Sequence, residues 1–132
     1  MFLDAVLITG SLYSPRDTAE LYMPSSGGAC TILQLPDDRE YHTLESSGLL
    51  CGGFGSEDIC LQWSPDSGTW ENLLTLDVLR DEHVSWTPGT EVGTYTGLYL
   101  MGSFYNASRR TTTLIKRDGT QEPGFKLQYD TE

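Results

Sequence analysis

The sequence predicts an all-β chain built from about three similar units, and three observations support this prediction. Apolar runs that end in glycine recur along the chain, with Gly10, Gly52 and Gly102 lying 42 and 50 residues apart. The apolar runs are short, contain β-branched or aromatic residues and are bounded by Gly, Pro, Ser or Asp, which is typical of β-strands. No stretch keeps a helical spacing of apolar residues over three turns. Because units of roughly 40 to 50 residues with four strands each are typical of β-propeller blades, we expect a partial β-propeller.

Each unit contains the same succession of elements. A run ending in glycine is followed by a loop, a second run, a turn and a third run, as in an antiparallel meander. The glycine runs start at Val6, Leu49 and Tyr99, the second runs at Ala19, Ile59 and Thr111, and the third runs at Cys30, Trp70 and Gly124. Short fourth runs, YHTLE and HVSWT, precede the second and third glycine runs. The predicted blades cover about 5–38, 39–78 and 80–130 of a single domain, 1–132, and the first blade is incomplete.

The middle unit carries the most specific motif. Gly52 and Gly53 end its glycine run, Trp63 ends the second run, and six residues separate Trp63 from Trp70. This pattern resembles the kelch-repeat family of β-propellers, with blades similar to those of galactose oxidase. The resemblance implies four-stranded antiparallel blades in which these four residues have structural roles.

An Arg followed three residues later by His occurs twice, at Arg39 and His42 and again at Arg80 and His83. The kelch resemblance implies such an Arg before the next blade. These are the only two histidines of the chain, and since both hold the same repeat position we expect them to meet a structural need of the blade. The spacing around them fits no catalytic or metal-binding motif, so the sequence predicts no catalytic residue, no cofactor and no metal site.

The outer units depart from the kelch pattern. Ser follows both Gly10 and Gly102, where the pattern has a second glycine, and the third unit has neither Trp. In the first unit Met23 and Cys30 take the aromatic and Trp positions. We expect Cys30 to pack there as a small hydrophobic residue. The glycines themselves are expected to supply a positive φ and a close backbone approach at the blade centre.

Three blades are too few to close a propeller, which has about four to eight. Two explanations follow from the sequence. The chain is a fragment of a longer propeller, or copies of it assemble head to tail into a ring as a homo-oligomer. We favour the fragment.

The charge of the chain excludes some partners. Eight Lys and Arg against 19 Asp and Glu give a formal net charge of −11, which repels phosphate backbones and anionic lipids. No apolar run approaches the roughly 18 residues of a membrane span. We therefore expect neither nucleic-acid binding nor membrane insertion.

Two features bear on the compartment. Cys51 and Cys60 flank one loop between adjacent strands, a distance that a disulfide can span in an oxidising compartment. The alternative is a pair of reduced, buried thiols. Asn106 begins an Asn-Ala-Ser sequon in a predicted loop, which indicates N-glycosylation. Together these features favour an extracellular or secreted protein, with a cytoplasmic one as the alternative.

The leading functional hypothesis is a non-catalytic propeller segment that binds a protein partner through its loops. The loops after the glycine runs differ in sequence while the strands around them repeat. The candidate binding residues are Tyr13, Arg16, Phe54, Glu57, Asp58, Tyr105 and Arg109. The alternative is a self-assembling structural or extracellular matrix protein. A further alternative, which the resemblance to galactose oxidase implies, is a fragment of a copper radical oxidase.

Overall fold

A computed structural model describes residues 6–45, 48–86, 97–105, 108–116 and 118–128 of the chain. These residues form eleven strands and contain no helix, so the described part of the chain is all-β. The strands are β1 Val6–Thr9, β2 Ala19–Met23, β3 Gly28–Thr31, β4 Thr43–Leu44, β5 Leu49–Cys51, β6 Ile59–Ser64, β7 Thr69–Thr75, β8 Val84–Trp86, β9 Gly97–Met101, β10 Thr112–Lys116 and β11 Gln121–Pro123. No helix long and apolar enough to cross a membrane occurs within these ranges.

The strands form three antiparallel sheets whose order follows the chain. The first sheet is β1-β2-β3, the second is β4-β5-β6-β7 and the third is β8-β9-β10-β11. The predicted meander, with three strands in the first unit and four in each of the others, is therefore confirmed. The sheets are blade-like, and the residues described do not form a closed ring.

Strand register corrects the alignment of the first unit with the second. In each unit the glycine N–H donates to a carbonyl at the start of the second strand. The acceptor is Ile59, the first residue of β6, in the second unit, and Thr18 or Thr111, one residue before the strand, in the other two. The loops between these two points differ in length, which is why the sequence alignment slipped by one residue. Tyr22 pairs with Ala29 where Trp63 pairs with Trp70, so Met23 and Cys30 do not hold the aromatic and Trp positions.

Two expectations for the outer strands are also wrong. Cys30 is a free, exposed thiol and does not pack as a small hydrophobic residue, because the register pairs it with Leu21 and places Ala29 at the position of Trp70. The third run of the last unit is paired at Gln121–Pro123 and not from Gly124. The reason is a tight turn. The Thr120 N–H donates to the Asp118 carboxylate, and the Thr120 carbonyl accepts from the Lys116 N–H at 2.8 Å.

In the part of the chain that the structure describes, the core consists of two clusters that lie between neighbouring sheets. One joins the second sheet to the third through Leu49, Cys51, Cys60, Leu76, Leu98, Leu100 and Ile115. The other joins the first unit to the second sheet through Leu35, Leu50 and Leu61, with Leu44, Ile59 and Trp70 beside them. Apolar burial therefore fixes the three sheets side by side.

Candidate functional site

Arg39 lies at the junction between the first and second sheets. Its side chain is fully buried, and Nη1 donates to the carbonyls of Gly52 at 2.8 Å and Ile59 at 2.7 Å. The Asp37 carboxylate accepts from Nε at 2.7 Å and from Nη2 at 3.3 Å. Arg39 thus joins two carbonyls of the second unit, of which that of Ile59 also accepts from the Gly52 N–H, and Asp37 neutralises its charge.

Arg80 holds the same position at the second junction. Its Nη1 donates to the carbonyls of Gly102 at 2.7 Å and Thr111 at 2.9 Å, and Nη2 donates to Thr113 Oγ1 at 2.8 Å. Val78 stands where the first junction has a carboxylate, and Nε of Arg80 is buried without a hydrogen-bond partner among the described residues. Burial lowers the pKa of Arg80 to about 10.

The two histidines connect each sheet to the one before it. Nε2 of His42 lies 2.8 Å from Thr9 Oγ1, and Nε2 of His83 lies 2.9 Å from Thr43 Oγ1. Burial, reinforced by the charge of the arginine three residues earlier, lowers the pKa of His42 to about 4 and that of His83 to about 3. Both imidazoles are therefore neutral at pH 7, and both hold neighbouring sheets together.

The glycines of the predicted motif are required by these same turns. All have a positive φ, namely 69° at Gly10, 64° at Gly52, 97° at Gly53 and 77° at Gly102. A Cβ at Gly10 would lie 2.7 Å from the carbonyl oxygen of Arg39, and one at Gly52 would lie 2.8 Å from Cε1 of His83. Glycine is needed here because the next unit's turn approaches the backbone too closely for a side chain.

Trp63 and Trp70 pack at the first junction. Their ring centroids are 5.2 Å apart, and Trp70 Nε1 donates to the carbonyl of Leu33 at 3.0 Å. Trp63 is almost fully buried. Because Leu33 follows the first sheet, the hydrogen bond links the second sheet to the preceding unit in addition to the apolar contact.

The predicted disulfide between Cys51 and Cys60 is present. The two residues lie directly opposite each other in β5 and β6, with Cα atoms 4.1 Å apart, and both are fully buried. Disulfides are typical of oxidising compartments, which is the basis for an extracellular location. Asn106 of the sequon lies outside the described residues.

Two of the predicted binding loops meet on the structure. The Tyr105 hydroxyl donates to Glu57 Oε1 at 3.0 Å, which joins the loop after β9 to the loop after β5. Exposed aromatic rings accompany them, since Phe54 and Phe104 are each 49% exposed. Tyr13, at 78%, is more exposed still.

The other predicted binding residues have mainly backbone or edge roles. The Asp58 carbonyl accepts from the Leu76 N–H at 2.5 Å, and Arg109 Nε donates to the Phe104 carbonyl at 3.1 Å. Arg16 Nε lies 3.8 Å from Glu40 Oε2. The structure therefore brings Arg16 beside the first Arg-His turn.

The sequence reasoning missed the acidic residue inside each Arg-His turn. Glu40 and Asp81 follow the two arginines, and their carbonyls accept from the Phe54 N–H at 2.7 Å and the Phe104 N–H at 2.8 Å. The next residue, Tyr41 or Glu82, has a positive φ of 57° or 50°. An acidic residue directly after both arginines was the available signal.

The second turn concentrates negative charge. Asp81 is only 4% exposed, and its Oδ1 has no hydrogen-bond partner among the described residues. Burial raises the pKa of Asp81, and the negative charges of Glu82, Glu57 and Glu40 raise it further. The site is therefore a buried carboxylate in an acidic environment, at the base of the two loops that meet.

Arg80 also lines a cavity of about 230 Å³, together with Asp77, Val78, Thr111, Thr112, Thr113, Gln121, Glu122 and Pro123. Within the described ranges, no cluster of three or more His, Cys, Asp or Glu side chains could hold a metal ion.

Searches of the sequence against protein-family models and against curated proteins gave no match.

Proposed function

We propose that the chain is a segment of a kelch-type β-propeller that binds a protein partner, without catalysis, through the loops after β1, β5 and β9. The blade-like sheets, their order along the chain and the repeated Arg-His junctions support the kelch assignment. These loops stand on a shared framework and differ from one another in sequence, which is how a rigid scaffold carries variable contacts.

The observation that carries the proposal is the exposure of one aromatic ring in each loop. Tyr13, Phe54 and Phe104 are half-exposed or more, and each lies a few residues after a fixed glycine. Aromatic side chains are enriched at the centres of protein interfaces because they bury a large area with little loss of conformational entropy. An exposed aromatic ring in each of the three loops favours a binding surface.

Affinity capture followed by reconstitution with the purified partner tests this proposal. We expect the triple variant Tyr13→Ser, Phe54→Ser and Phe104→Ser to weaken binding at least tenfold. The control is Phe125→Ser, because that ring is 50% exposed and lies outside the three loops. Equal binding by the triple variant and the wild type would refute the proposal.

We also propose an extracellular location, which the Cys51–Cys60 disulfide supports. Expression in a secreting eukaryotic host tests it. We expect an oxidised chain that carries a glycan at Asn106, and Ser108→Ala is the matched variant that removes the sequon. A chain that is secreted with both cysteines reduced would contradict the proposal.

Self-association is the second candidate, and the outer face of the first sheet favours it. Val6 and Ile8 are 48% and 52% exposed, whereas the residues at the position of Ile8 in the other sheets, Leu50 and Leu100, are fully buried against the preceding unit. The first sheet thus carries the apolar residues of a packed blade on an uncovered face. In the third sheet, Trp86 on the opposite outer face is 47% exposed.

Native mass spectrometry of two variants separates self-association from loop binding. Head-to-tail pairing predicts that Ile8→Lys and Trp86→Lys each remain monomeric alone. Every junction of a ring uses both outer faces, so either substitution damages every junction. A mixture of the two variants should form a heterodimer, since one junction then has two intact faces. A monomeric wild type at micromolar concentration would exclude this candidate.

A further inference from the structure

The two Arg-His junctions have the same backbone geometry. The Arg39 N–H donates to the Arg16 carbonyl at 3.2 Å, and the Arg80 N–H donates to the Glu57 carbonyl at 2.8 Å. Residue 16 at the first junction therefore corresponds to residue 57 at the second. By the same correspondence Glu40 matches Asp81.

The charges at these matched positions differ. At the first junction Glu40 Oε2 is buried and also has no hydrogen-bond partner among the described residues, but the Arg16 guanidinium faces it, with Nε 3.8 Å away. At the second junction both matched residues, Glu57 and Asp81, are acidic, and Glu82 follows Asp81 in the chain. The cation that the first junction supplies is therefore replaced by a carboxylate at the second.

The carboxylate of the second junction is also incompletely paired. Asp81 is almost fully buried, yet Oδ1 has no hydrogen-bond partner among the described residues. Glu57 Oε1 accepts from the Tyr105 hydroxyl and from the Gly55 N–H. A buried carboxylate is costly to leave unpaired, and a guanidinium forms short, charge-assisted hydrogen bonds with such a group.

We propose that Glu57, Asp81 and Tyr105 form a binding site for an arginine side chain of a protein partner. This proposal rests on the loop-binding function above and names the chemistry of one contact. The guanidinium of the partner would lie where Arg16 lies at the first junction, between the Asp81 carboxylate and the loop that contains Glu57. Two carboxylates and a phenol are too few ligands for calcium, which takes six to eight oxygens.

Titration with N-acetyl-arginine amide, followed by NMR, tests the site on the whole oxidised chain. We expect saturable shifts at Glu57, Asp81 and Tyr105, and binding about tenfold weaker in Glu57→Gln. The control Glu71→Gln removes an exposed carboxylate of β7 and should bind as the wild type does. Absence of saturable shifts, or an equal response to N-acetyl-lysine amide, would overturn the proposal.

A second variant, Glu57→Arg, tests the site by thermal stability and not by affinity. Glu57→Arg copies the first junction, so we expect its Tm to exceed that of Glu57→Gln by about 2 to 4 °C. The same variant should no longer respond to the arginine probe. A lower Tm for Glu57→Arg than for Glu57→Gln would show that the turn carboxylate does not accept a cation and would overturn the proposal.

The outcome also separates this site from loop binding in general. If a partner binds Glu57→Gln as it binds the wild type and is lost only in the aromatic triple variant, the arginine site is wrong and the loop proposal stands. If the triple variant binds normally, the loop proposal is wrong whatever the arginine probe shows.

Discussion

Acid should destabilise this protein through its two buried histidines. The pKa values of His42 and His83 are lowered to about 4 and about 3, whereas an unfolded chain holds histidine near its ordinary value of 6.5. Below pH 6.5 the unfolded state therefore binds two protons that the folded state does not. The stability contributed by neutral histidine is fully present above pH 6.5 and falls as pH decreases toward 4.

The magnitude follows from this difference. One unit of pKa difference corresponds to about 1.4 kcal/mol, so two histidines reduce the free energy of unfolding by up to about 2.7 kcal/mol per pH unit. Between pH 6.5 and 4.5 the loss approaches about 5 kcal/mol. Because single domains are stable by only about 5 to 15 kcal/mol, a loss of this size would unfold much of the protein.

Urea unfolding at a series of pH values without reductant measures the effect. The double variant His42→Gln and His83→Gln is the comparison, because the glutamine amide can still reach the hydroxyls that bind Nε2. We expect it to be less stable at pH 7 and to lose most of the slope between pH 6.5 and 4.5. An unchanged slope in the double variant, or equal stability of the wild type at pH 7 and 5, would refute the reasoning.

Three further predictions concern single features. Asp81→Asn should raise Tm at pH 7, because a carboxyl whose pKa is raised in the folded state destabilises the protein as pH rises from about 3.8 through that pKa. The gain in Tm should vanish below pH 3.8, and no gain at pH 7 would contradict the unpaired charge. Gly52→Ala should lower the free energy of unfolding by about 3 kcal/mol and its control Gly68→Ala by about 1 kcal/mol, because φ is 64° and 66° but only at Gly52 would the added Cβ clash with another residue. Equal losses in urea titrations would show that this contact is unimportant. Replacing Cys51 and Cys60 together by Ala should remove about 3 kcal/mol, the entropy expected for a bridge across nine residues, and an unchanged urea midpoint would refute it.

Strand order was predictable from the sequence because each strand is local and is bounded by turn residues. The positions of Gly52, Trp63 and Trp70 fixed the second sheet, since both tryptophans occur on adjacent strands with a short turn between them. The first sheet was misaligned by one residue because loop length, and not composition, sets its register. A one-residue slip moves a side chain to the other face of a sheet, so Cys30 was assigned a packed position that it does not have.

The candidate site was predictable only in part for a different reason. Glu57 and Tyr105 were recognised as loop residues, but their hydrogen bond joins positions 48 residues apart, and no local pattern encodes such a contact. Asp81 was missed because no local pattern distinguishes a buried carboxylate between Arg80 and His83 from a solvated one. Its burial follows from the packing of the third sheet against the second, which the sequence does not state.

The comparison of the two junctions indicates where function should be sought. The parts that hold the sheets together are repeated, because each junction has a buried arginine bound to loop carbonyls and a histidine bound to a threonine. The parts that balance charge are not repeated, since Val78 replaces the carboxylate partner of the arginine and Glu57 replaces the cation at the loop. A change that affected only surface solubility would fall on exposed positions, whereas both of these lie beside buried, incompletely paired groups. Leaving a buried carboxylate unpaired destabilises a fold, so we propose that the arginine of a partner, by pairing Asp81, accounts for this carboxylate at the second junction.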